Sequence, residues 1–196
     1  MKECCSERFK IVKDAVEELV NESSDTIIIG IDGKCASGKT TLGYYLKEVF
    51  SCNLFHMDDF FLQDYQRTEY RLAEAGGNVD YERFFDEVLN PVINKKDVNY
   101  RKFSCSEKKI DSGAIIPYKR INIVEGSYSL HPYFREPYDL KVFMDINYED
   151  QIENIRRRNG GEKLIRFKEE WIPKENLYFD KFNIEDGCIK IEWRKL

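Results

Sequence analysis

The most constraining feature of the chain is a glycine-rich motif that directly follows an apolar run. Residues 27–31 read Ile-Ile-Ile-Gly-Ile, and residues 33–40 then spell G-x-x-x-x-G-K-T. The apolar run predicts a buried strand, and the apolar spacing after the motif predicts a helix. In that context the pattern predicts a phosphate-binding loop, in which glycines let backbone N–H groups turn toward phosphate oxygens.

Each part of this loop has an expected role in binding a nucleoside triphosphate. Lys39 is expected to contact the β/γ-phosphate oxygens, and the Thr40 hydroxyl is expected to ligate Mg²⁺. The remaining positions supply backbone N–H groups or shape the turn. The predicted nucleotide-binding residues are Gly33, Lys34, Cys35, Ala36, Ser37, Gly38, Lys39, Thr40 and Thr41.

Composition narrows the class of protein. The 196 residues are 42% hydrophobic and 34% charged, which predicts one domain, 1–196, with a sizeable core. A net charge of −5 gives no basic surface for nucleic acid. No apolar run approaches the length of a membrane span or a signal peptide, so we expect a cytoplasmic protein without a membrane partner. The six cysteines lack the spacing of zinc ligands, which favours reduced thiols.

Apolar runs alternate with helical spacing along the chain. A helix is predicted over Ser6–Val20, within an N-terminal helical region at 1–22, before the first strand. Further strands are predicted at Asn53–Met57, Ile121–Val124 and Leu140–Met144. This alternation predicts an α/β fold with a largely parallel sheet.

Two segments between these elements are expected to complete a substrate site. Residues 60–118 form an insertion long enough to cover an acceptor, with a helix near Tyr81–Leu89 and short strands. Residues 149–170 form an arginine-rich lid region, interrupted by glycines at 160 and 161. An arginine from such a segment stabilises charge on a transferred phosphoryl group, and Arg156 and Arg158 are predicted to be catalytic together with Lys39 and Asp58.

Acidic residues follow the predicted strands, where ligands bind in an open parallel sheet. Asp58 suits the role of general base toward an acceptor hydroxyl, and Glu125 suits the arrangement of Mg²⁺, to which Asp58 is a further candidate ligand. For Asp145, a role in the site and capping of the next helix are equal alternatives, and Asp59 is expected to be a cap or solvated.

The cysteine within the loop suggests a separate hypothesis. Cys35 lies close to the amino end of the predicted helix, where the helix dipole favours a thiolate. The sequence therefore raises the hypothesis that Cys35 is a reactive thiol.

The combined motifs resemble one known group of enzymes. The loop, the D-D-F-F run at 58–61, the V-E-G run at 124–126 and the arginine-rich segment are similar to those of the uridine kinase and phosphoribulokinase group of P-loop kinases, over most of residues 26–180. The resemblance implies a three-layer, nucleotide-kinase-like α/β fold with helices on both faces of the sheet. It also implies ATP-dependent phosphorylation of a hydroxyl on a small acceptor, with a nucleoside as the leading expectation.

The resemblance also implies roles for particular residues. Asp58 corresponds to the base of the group's D-x-F-Y pattern, and Glu125 to its magnesium-side acid. Asp80 falls where uridine kinases hold the ribose hydroxyls. Phe103 falls near the aromatic residue that stacks on the base, and Lys108 near a position where a histidine is usual.

Three other interpretations remain open at this point. A GTPase is suggested by N-K-K-D at residues 94–97, although no D-x-x-G motif follows the loop at a suitable place. A nucleoside monophosphate kinase would need arginines for the acceptor phosphate, for which Arg67, Arg71 and Arg83 are candidates. A nucleotide-binding switch without an acceptor is the third.

His131, beside aromatic residues, is expected to be structural. The sequence does not predict the oligomeric state.

Overall fold

A parallel sheet of five strands forms the centre of the fold. The computed structural model of the chain describes residues 7–194. The strands lie at Ile27–Gly33 (β1), Asn53–His56 (β2), Ile121–Glu125 (β3), Leu140–Asp145 (β4) and Ile189–Glu192 (β5). Their spatial order is β2-β3-β1-β4-β5, and every neighbouring pair is parallel. The predicted α/β fold with a mainly parallel sheet is confirmed.

Helices cover both faces of this sheet. The longer ones are Lys10–Glu22 (α1), Lys39–Phe50 (α2), Tyr148–Asn159 (α3) and Ile172–Phe182 (α4). Side chains of a strand alternate between faces, so Ile29 packs in the cluster with residues of α1 and α2, and Ile28 packs in the cluster that contains Tyr178 of α4. Among residues 7–194, no helix is both long and apolar enough to span a bilayer.

The predicted element boundaries differ from the observed ones at a few places. The start of the first helix was predicted at Ser6, which lies outside the described residues, as do Cys4 and Cys5. Strand β5 was not predicted. The helical segment after Gly160 was predicted to end at Pro173, and this was wrong. Pro173 lies in the first turn of α4, where its missing N–H costs no hydrogen bond.

The insertion at 60–118 consists of short elements packed on the sheet. Its helical parts are Asp64–Gln66, Glu69–Ala73, Tyr81–Phe84, a π-helical turn at Phe85–Leu89, and Asn90–Ile93. Its strands form two antiparallel pairs, Val98–Tyr100 with Ala114–Ile116 and Phe103–Ser104 with Lys109–Ile110. Buried side chains of the insertion, including Phe84 and Val88, join the same apolar cluster as Tyr178. The insertion is therefore anchored to the face of the sheet that α4 covers.

His131 lies inside this aromatic region, in the loop that follows β3. Its side chain is 8% exposed and stacks on Tyr81, with ring centroids 4.2 Å apart. Its Nδ1 accepts a hydrogen bond from the Tyr133 backbone N–H at 3.2 Å. Burial lowers the pKa of His131 to about 4. The ring is therefore neutral at physiological pH, in a structural position.

The lowered pKa of His131 makes stability depend on pH. Because the folded-state pKa lies below the ordinary value of 6.5, the neutral ring contributes stability that is fully present above about pH 6.5 and is lost as the pH falls through about 4. We expect the wild type to lose about 2–3 kcal/mol more unfolding free energy than His131→Phe between pH 7.5 and pH 4. Urea denaturation of both proteins at the two pH values measures this difference, and equal losses would contradict the assignment.

Candidate active site

A cleft of about 600 Å³ opens at the carboxyl ends of β1, β2 and β3, beside α3 and α4. Ligands bind at this edge in open parallel sheets, because the loops that follow the strands converge there. The loop after β1 contributes Cys35, Ala36, Gly38, Lys39, Thr40 and Thr41. The acidic side chains that line the cleft are Asp58, Glu125 and Glu175.

The loop after β1 has the shape of a phosphate cradle. Gly33 lies so close to β4 that a Cβ atom would be 2.2 Å from the Met144 carbonyl oxygen. A Cβ atom on Gly38 would have space, so the need for glycine at this position comes from its φ of +101°. Together with Ala36, whose φ is +62°, these left-handed positions turn successive N–H groups toward one side. The backbone therefore fits a bound phosphate chain.

Lys39 is the first residue of α2, and its side chain folds back over the loop. Its Nζ donates hydrogen bonds to the carbonyl oxygens of Gly33, at 2.7 Å, and Lys34, at 2.9 Å. The ammonium group lines the cleft and lies near Asp58, whose ionised form it stabilises. A cation held in this way can exchange carbonyl contacts for phosphate oxygens without moving the helix that carries it.

The predicted loop residues do not all face the cleft. Lys34 pairs with Asp145 at 2.7 Å and donates to the Ile146 carbonyl at 3.3 Å, so its side chain holds the loop to the end of β4. Asp145 is engaged in this ion pair, and Asn147 caps α3. The Ser37 hydroxyl is fully buried and has no hydrogen-bond partner among the described residues.

The structure does not favour the hypothesis of a reactive Cys35 thiol. Cys35 is 8% exposed, and burial, reinforced by the nearby Glu175 carboxylate, raises the pKa of its thiol far above the usual value. Gln151 Nε2 lies 3.2 Å from the sulfur and 3.1 Å from the Cys35 carbonyl oxygen. The cost of burying a thiolate exceeds the favourable effect of the helix dipole.

Glu125 and Thr40 form an oxygen-rich corner of the cleft. The Thr40 hydroxyl lies 3.2 Å from both carboxylate oxygens of Glu125, the last residue of β3. His56, which is paired with Glu125 in the register of β2 and β3, contacts the same carboxylate through Nδ1 at 2.5 Å. Mg²⁺ prefers oxygen ligands and usually takes one or two from the protein together with substrate phosphates. Thr40 and Glu125 fit that requirement, with His56 orienting the carboxylate.

Asp58 lies on the turn that follows β2 and lines the cleft. Its side chain is accessible from the cleft, yet the surrounding walls shield it from bulk water and raise its pKa. Lys39 opposes this shift, whereas the carboxylates of Glu125 and Glu175 increase it. The neighbouring Asp59 accepts hydrogen bonds from Tyr100 at 2.8 Å and pairs with Lys102 at 2.9 Å. The two adjacent aspartates therefore have different environments.

The structure does not bring the other predicted acceptor residues into the cleft. Asp80 is buried, caps the turn at Tyr81–Phe84, and accepts a hydrogen bond from Gln66 at 2.9 Å. Phe103 lies in the short outer hairpin of the insertion, and Lys108 is exposed and pairs with Asp64 at 2.9 Å. Of the insertion, Phe61 and Asn78 line the cleft. The sequence pattern did not single out either of them for the acceptor.

Arginines reach the cleft from α3. Arg158 and Arg157 line it, and the Arg158 guanidinium lies 5.9 Å from the ring centroid of Phe167. Arg156 is exposed and is not among the lining residues. Arg157, which the sequence analysis did not favour over its neighbours, contacts Asn154 at 3.2 Å.

Two buried acids link the loop to the rest of the chain. Asp32 is fully buried and accepts hydrogen bonds from the N–H groups of Gly33, Tyr128 and Leu130 and from the Tyr178 hydroxyl. Burial raises the pKa of Asp32 to about 6. Glu175, on α4, was missed by the sequence analysis, because no motif marks a glutamate located 140 residues after its partner Cys35.

The N-K-K-D run at 94–97 lies away from this cleft. Asn94 bonds to Asn90, Lys95 pairs with Asp25, and Asp97 accepts a hydrogen bond from the Tyr118 backbone. None of its residues lines the cleft. This arrangement does not favour the reading of guanine by that run.

The parallel sheet, its covering helices and the loop after β1 together define a kinase-like P-loop fold. A candidate fructose transport system kinase from Silicibacter sp. TM1040 has a TM-score of 0.71 at 18% identity, covering 95% of this chain and 98% of that one. A possible uridine kinase from Bacillus stearothermophilus has a TM-score of 0.70 at 16% identity, covering 94% and 97%. The likeness of fold to uridine-kinase-like and related P-loop kinases, which the motifs predicted, is confirmed.

Sequence comparison gives a weaker relation to the same class. A dephospho-CoA kinase from Mycoplasma genitalium is 21% identical over 188 residues, covering 84% of this chain and 89% of that protein. No protein-family model matches the chain. These identities support the P-loop kinase fold and leave the acceptor to be argued from the cleft.

The raised pKa of Cys35 predicts slow alkylation. We expect Cys105, which is exposed, to react with iodoacetamide at pH 7.5 at least about tenfold faster than Cys35 in the folded protein. Peptide mass spectrometry over a time course separates the two sites, and labelling in urea shows that both peptides are detectable. Equal rates under native conditions would restore the reactive-thiol hypothesis.

Proposed function

We propose that the protein is an ATP- and Mg²⁺-dependent kinase that phosphorylates a hydroxyl of a small, unphosphorylated acceptor, with a nucleoside as the leading candidate. The observation that carries the proposal is the presence of Lys39, Thr40, Glu125 and Asp58 around one cleft. These side chains supply the phosphate, metal and base functions that phosphoryl transfer requires.

Each residue has a defined part in the proposed reaction. The loop N–H groups and Lys39 bind and orient the β- and γ-phosphates of ATP, and Thr40 and Glu125 hold Mg²⁺. When bound, Mg²⁺ neutralises charge on the phosphate oxygens. Asp58 accepts the proton of the acceptor hydroxyl as it attacks, and its raised pKa improves it as a base near neutral pH.

The lid region is proposed to complete the site over the γ-phosphate. Arg158 stabilises the charge spread over the transferred phosphoryl group, as one of the two arginines that line the cleft. Arg156, the other arginine predicted from the sequence, would need a change in the orientation of α3 to take this part. Phe167 and Trp171 close the same side of the cleft and exclude water.

The absence of an arginine clamp favours an acceptor without a phosphate group. Arg71 forms a bidentate pair with Glu82, with both bonds at 2.6 Å, and Arg83 contacts Glu87 and the Arg101 carbonyl. Neither arginine lines the cleft, and Arg67 is exposed and does not line it. The insertion therefore offers no arginine to an acceptor phosphate, and the arginines that do line the cleft come from α3, in the lid region.

Aromatic side chains favour an acceptor that contains a ring. Phe61 and Tyr128 line the cleft, as do Trp171 and Trp193. Flat rings stack favourably on such side chains, and the polar groups of Asn78 and Asp58 can bind hydroxyls. These features support a nucleoside or a sugar-like acceptor, although Asp80, Phe103 and Lys108 contribute elsewhere in the structure.

Substitution of Asp58 tests the proposed base. We expect Asp58→Asn to lower acceptor-dependent turnover by about two to four powers of ten, because the amide cannot accept the hydroxyl proton, while the Kd for Mg-ATP changes little. Asp59→Asn is the matched control, because the Asp59 carboxylate contacts Tyr100 and Lys102. Wild-type turnover in Asp58→Asn would remove Asp58 from the mechanism.

The acceptor itself is tested by ADP release from Mg-ATP across a defined panel. The panel contains uridine, cytidine, adenosine, nicotinamide riboside, fructose, glycerate, pantothenate, UMP and CMP. We expect at least one unphosphorylated compound to stimulate ADP release about tenfold or more over the acceptor-free rate, with Lys39→Ala as the inactive reference. Stimulation only by UMP or CMP would favour a nucleoside monophosphate kinase, and ATP binding without any stimulation would favour the nucleotide-binding switch.

A further inference from the structure

Glu175 links helix α4 to the phosphate loop. Its side chain is 4% exposed and lines the cleft. One carboxylate oxygen accepts the backbone N–H of Cys35 at 2.9 Å, and the other accepts the Ser127 hydroxyl at 2.6 Å. Hydrogen bonds to a carboxylate are stronger than those between neutral groups. The carboxylate thus connects the loop, the residues after β3 and α4.

Side chains of α3 hold the same part of the loop from the other side. Gln151 donates to the Cys35 carbonyl at 3.1 Å, and Asn154 donates to the Ala36 carbonyl at 3.3 Å. The N–H and C=O groups of one short stretch are therefore fixed by two different helices, one from the lid region and one that follows it. The loop conformation depends on where both helices lie.

This stretch of the loop requires external support. Ala36 has a φ of +62°, a left-handed conformation that costs a non-glycine residue about 1 kcal/mol or more. Glu175 has no Lys or Arg within ion-pair distance among the described residues, and its carboxylate accepts hydrogen bonds from the Cys35 N–H and the Ser127 hydroxyl. A buried carboxylate without a cation is costly for the fold. Its contacts with the loop favour a role in shaping that loop.

We propose that Glu175 is a positioning residue, whose carboxylate fixes the Cys35–Ala36 turn of the phosphate loop in the conformation that receives the nucleotide. The residue acts through the backbone of the loop and does not touch the reacting atoms. This inference rests on the proposed function, because it assumes that the loop binds ATP. It goes beyond that function in assigning part of nucleotide affinity to α4.

Two substitutions at this position separate geometry from charge. Glu175→Gln retains an oxygen for the Cys35 N–H and offers an N–H group to the Ser127 hydroxyl, whereas Glu175→Ala removes both contacts. We expect Glu175→Ala to raise the Kd for Mg-ATP about tenfold or more, and Glu175→Gln to stay within about threefold of the wild type. Glu185→Ala, which removes a half-buried carboxylate that lies outside the cleft and pairs with Lys190, is the matched control.

The measurements distinguish a positioning role from general destabilisation. Isothermal titration calorimetry with Mg-ATP gives the Kd without any acceptor, at a temperature well below the Tm of each variant. Hydrogen exchange of the loop peptide is expected to rise in Glu175→Ala and not in Glu175→Gln. Ser127→Ala, which removes one support of Glu175, is expected to raise the Kd by a smaller factor.

Each other outcome overturns the inference in an identifiable way. Wild-type affinity in a folded Glu175→Ala protein removes Glu175 from loop positioning and leaves the proposed function intact. Tighter ATP binding in both Glu175 variants would mean that the carboxylate occupies the place of a phosphate and opposes binding. A wild-type protein that binds no Mg-ATP would refute the proposed function and this inference together.

Discussion

The buried carboxylate of Asp32 is the interaction on which the arrangement of the cleft depends. Its four donors are the N–H groups of Gly33, Tyr128 and Leu130 and the hydroxyl of Tyr178. They belong to the start of the phosphate loop, to the loop after β3 and to α4. Because one carboxylate accepts from all three, the position of each is tied to the others. With a pKa raised to about 6, Asp32 is mainly ionised at neutral pH, and an ionised carboxylate accepts stronger hydrogen bonds from these donors than a neutral one.

The phosphate loop is held in shape before any ligand arrives. Ala36 is in a left-handed conformation, and Gln151, Asn154 and Glu175 contact the backbone on either side of it. Fixed N–H groups bind a phosphate chain without paying a further ordering cost, which is the physical basis of electrostatic preorganisation. The conformational cost of Ala36 is offset by hydrogen bonds from side chains of α3 and α4, and not by the loop alone.

Local signals predicted the parts of the site that are encoded by adjacent residues. The strand, the loop and α2 follow one another in sequence, and Asp58 and Glu125 were found because the ends of parallel strands meet at one edge. Glu175 and Asn154 could not be found in this way, since their roles depend on how α3 and α4 pack against the loop. Asp80, which the resemblance placed at the acceptor, instead caps the turn that begins at Tyr81. Strand β5 was missed although isoleucine alternates with charged residues in it, because a run of four residues is a weak signal.

The charged side chains that line the cleft bear on the choice of acceptor. Its lining contains three cations and three acids, which are Lys39, Arg157, Arg158, Asp58, Glu125 and Glu175. An anionic acceptor placed beside these carboxylates would meet repulsion, and it would compete with the phosphates of a bound nucleotide for the cations of the cleft. A neutral acceptor avoids that cost and can donate its hydroxyl hydrogen to Asp58. In the proposed reaction, the acids of the cleft therefore disfavour an acceptor that already carries a phosphate group.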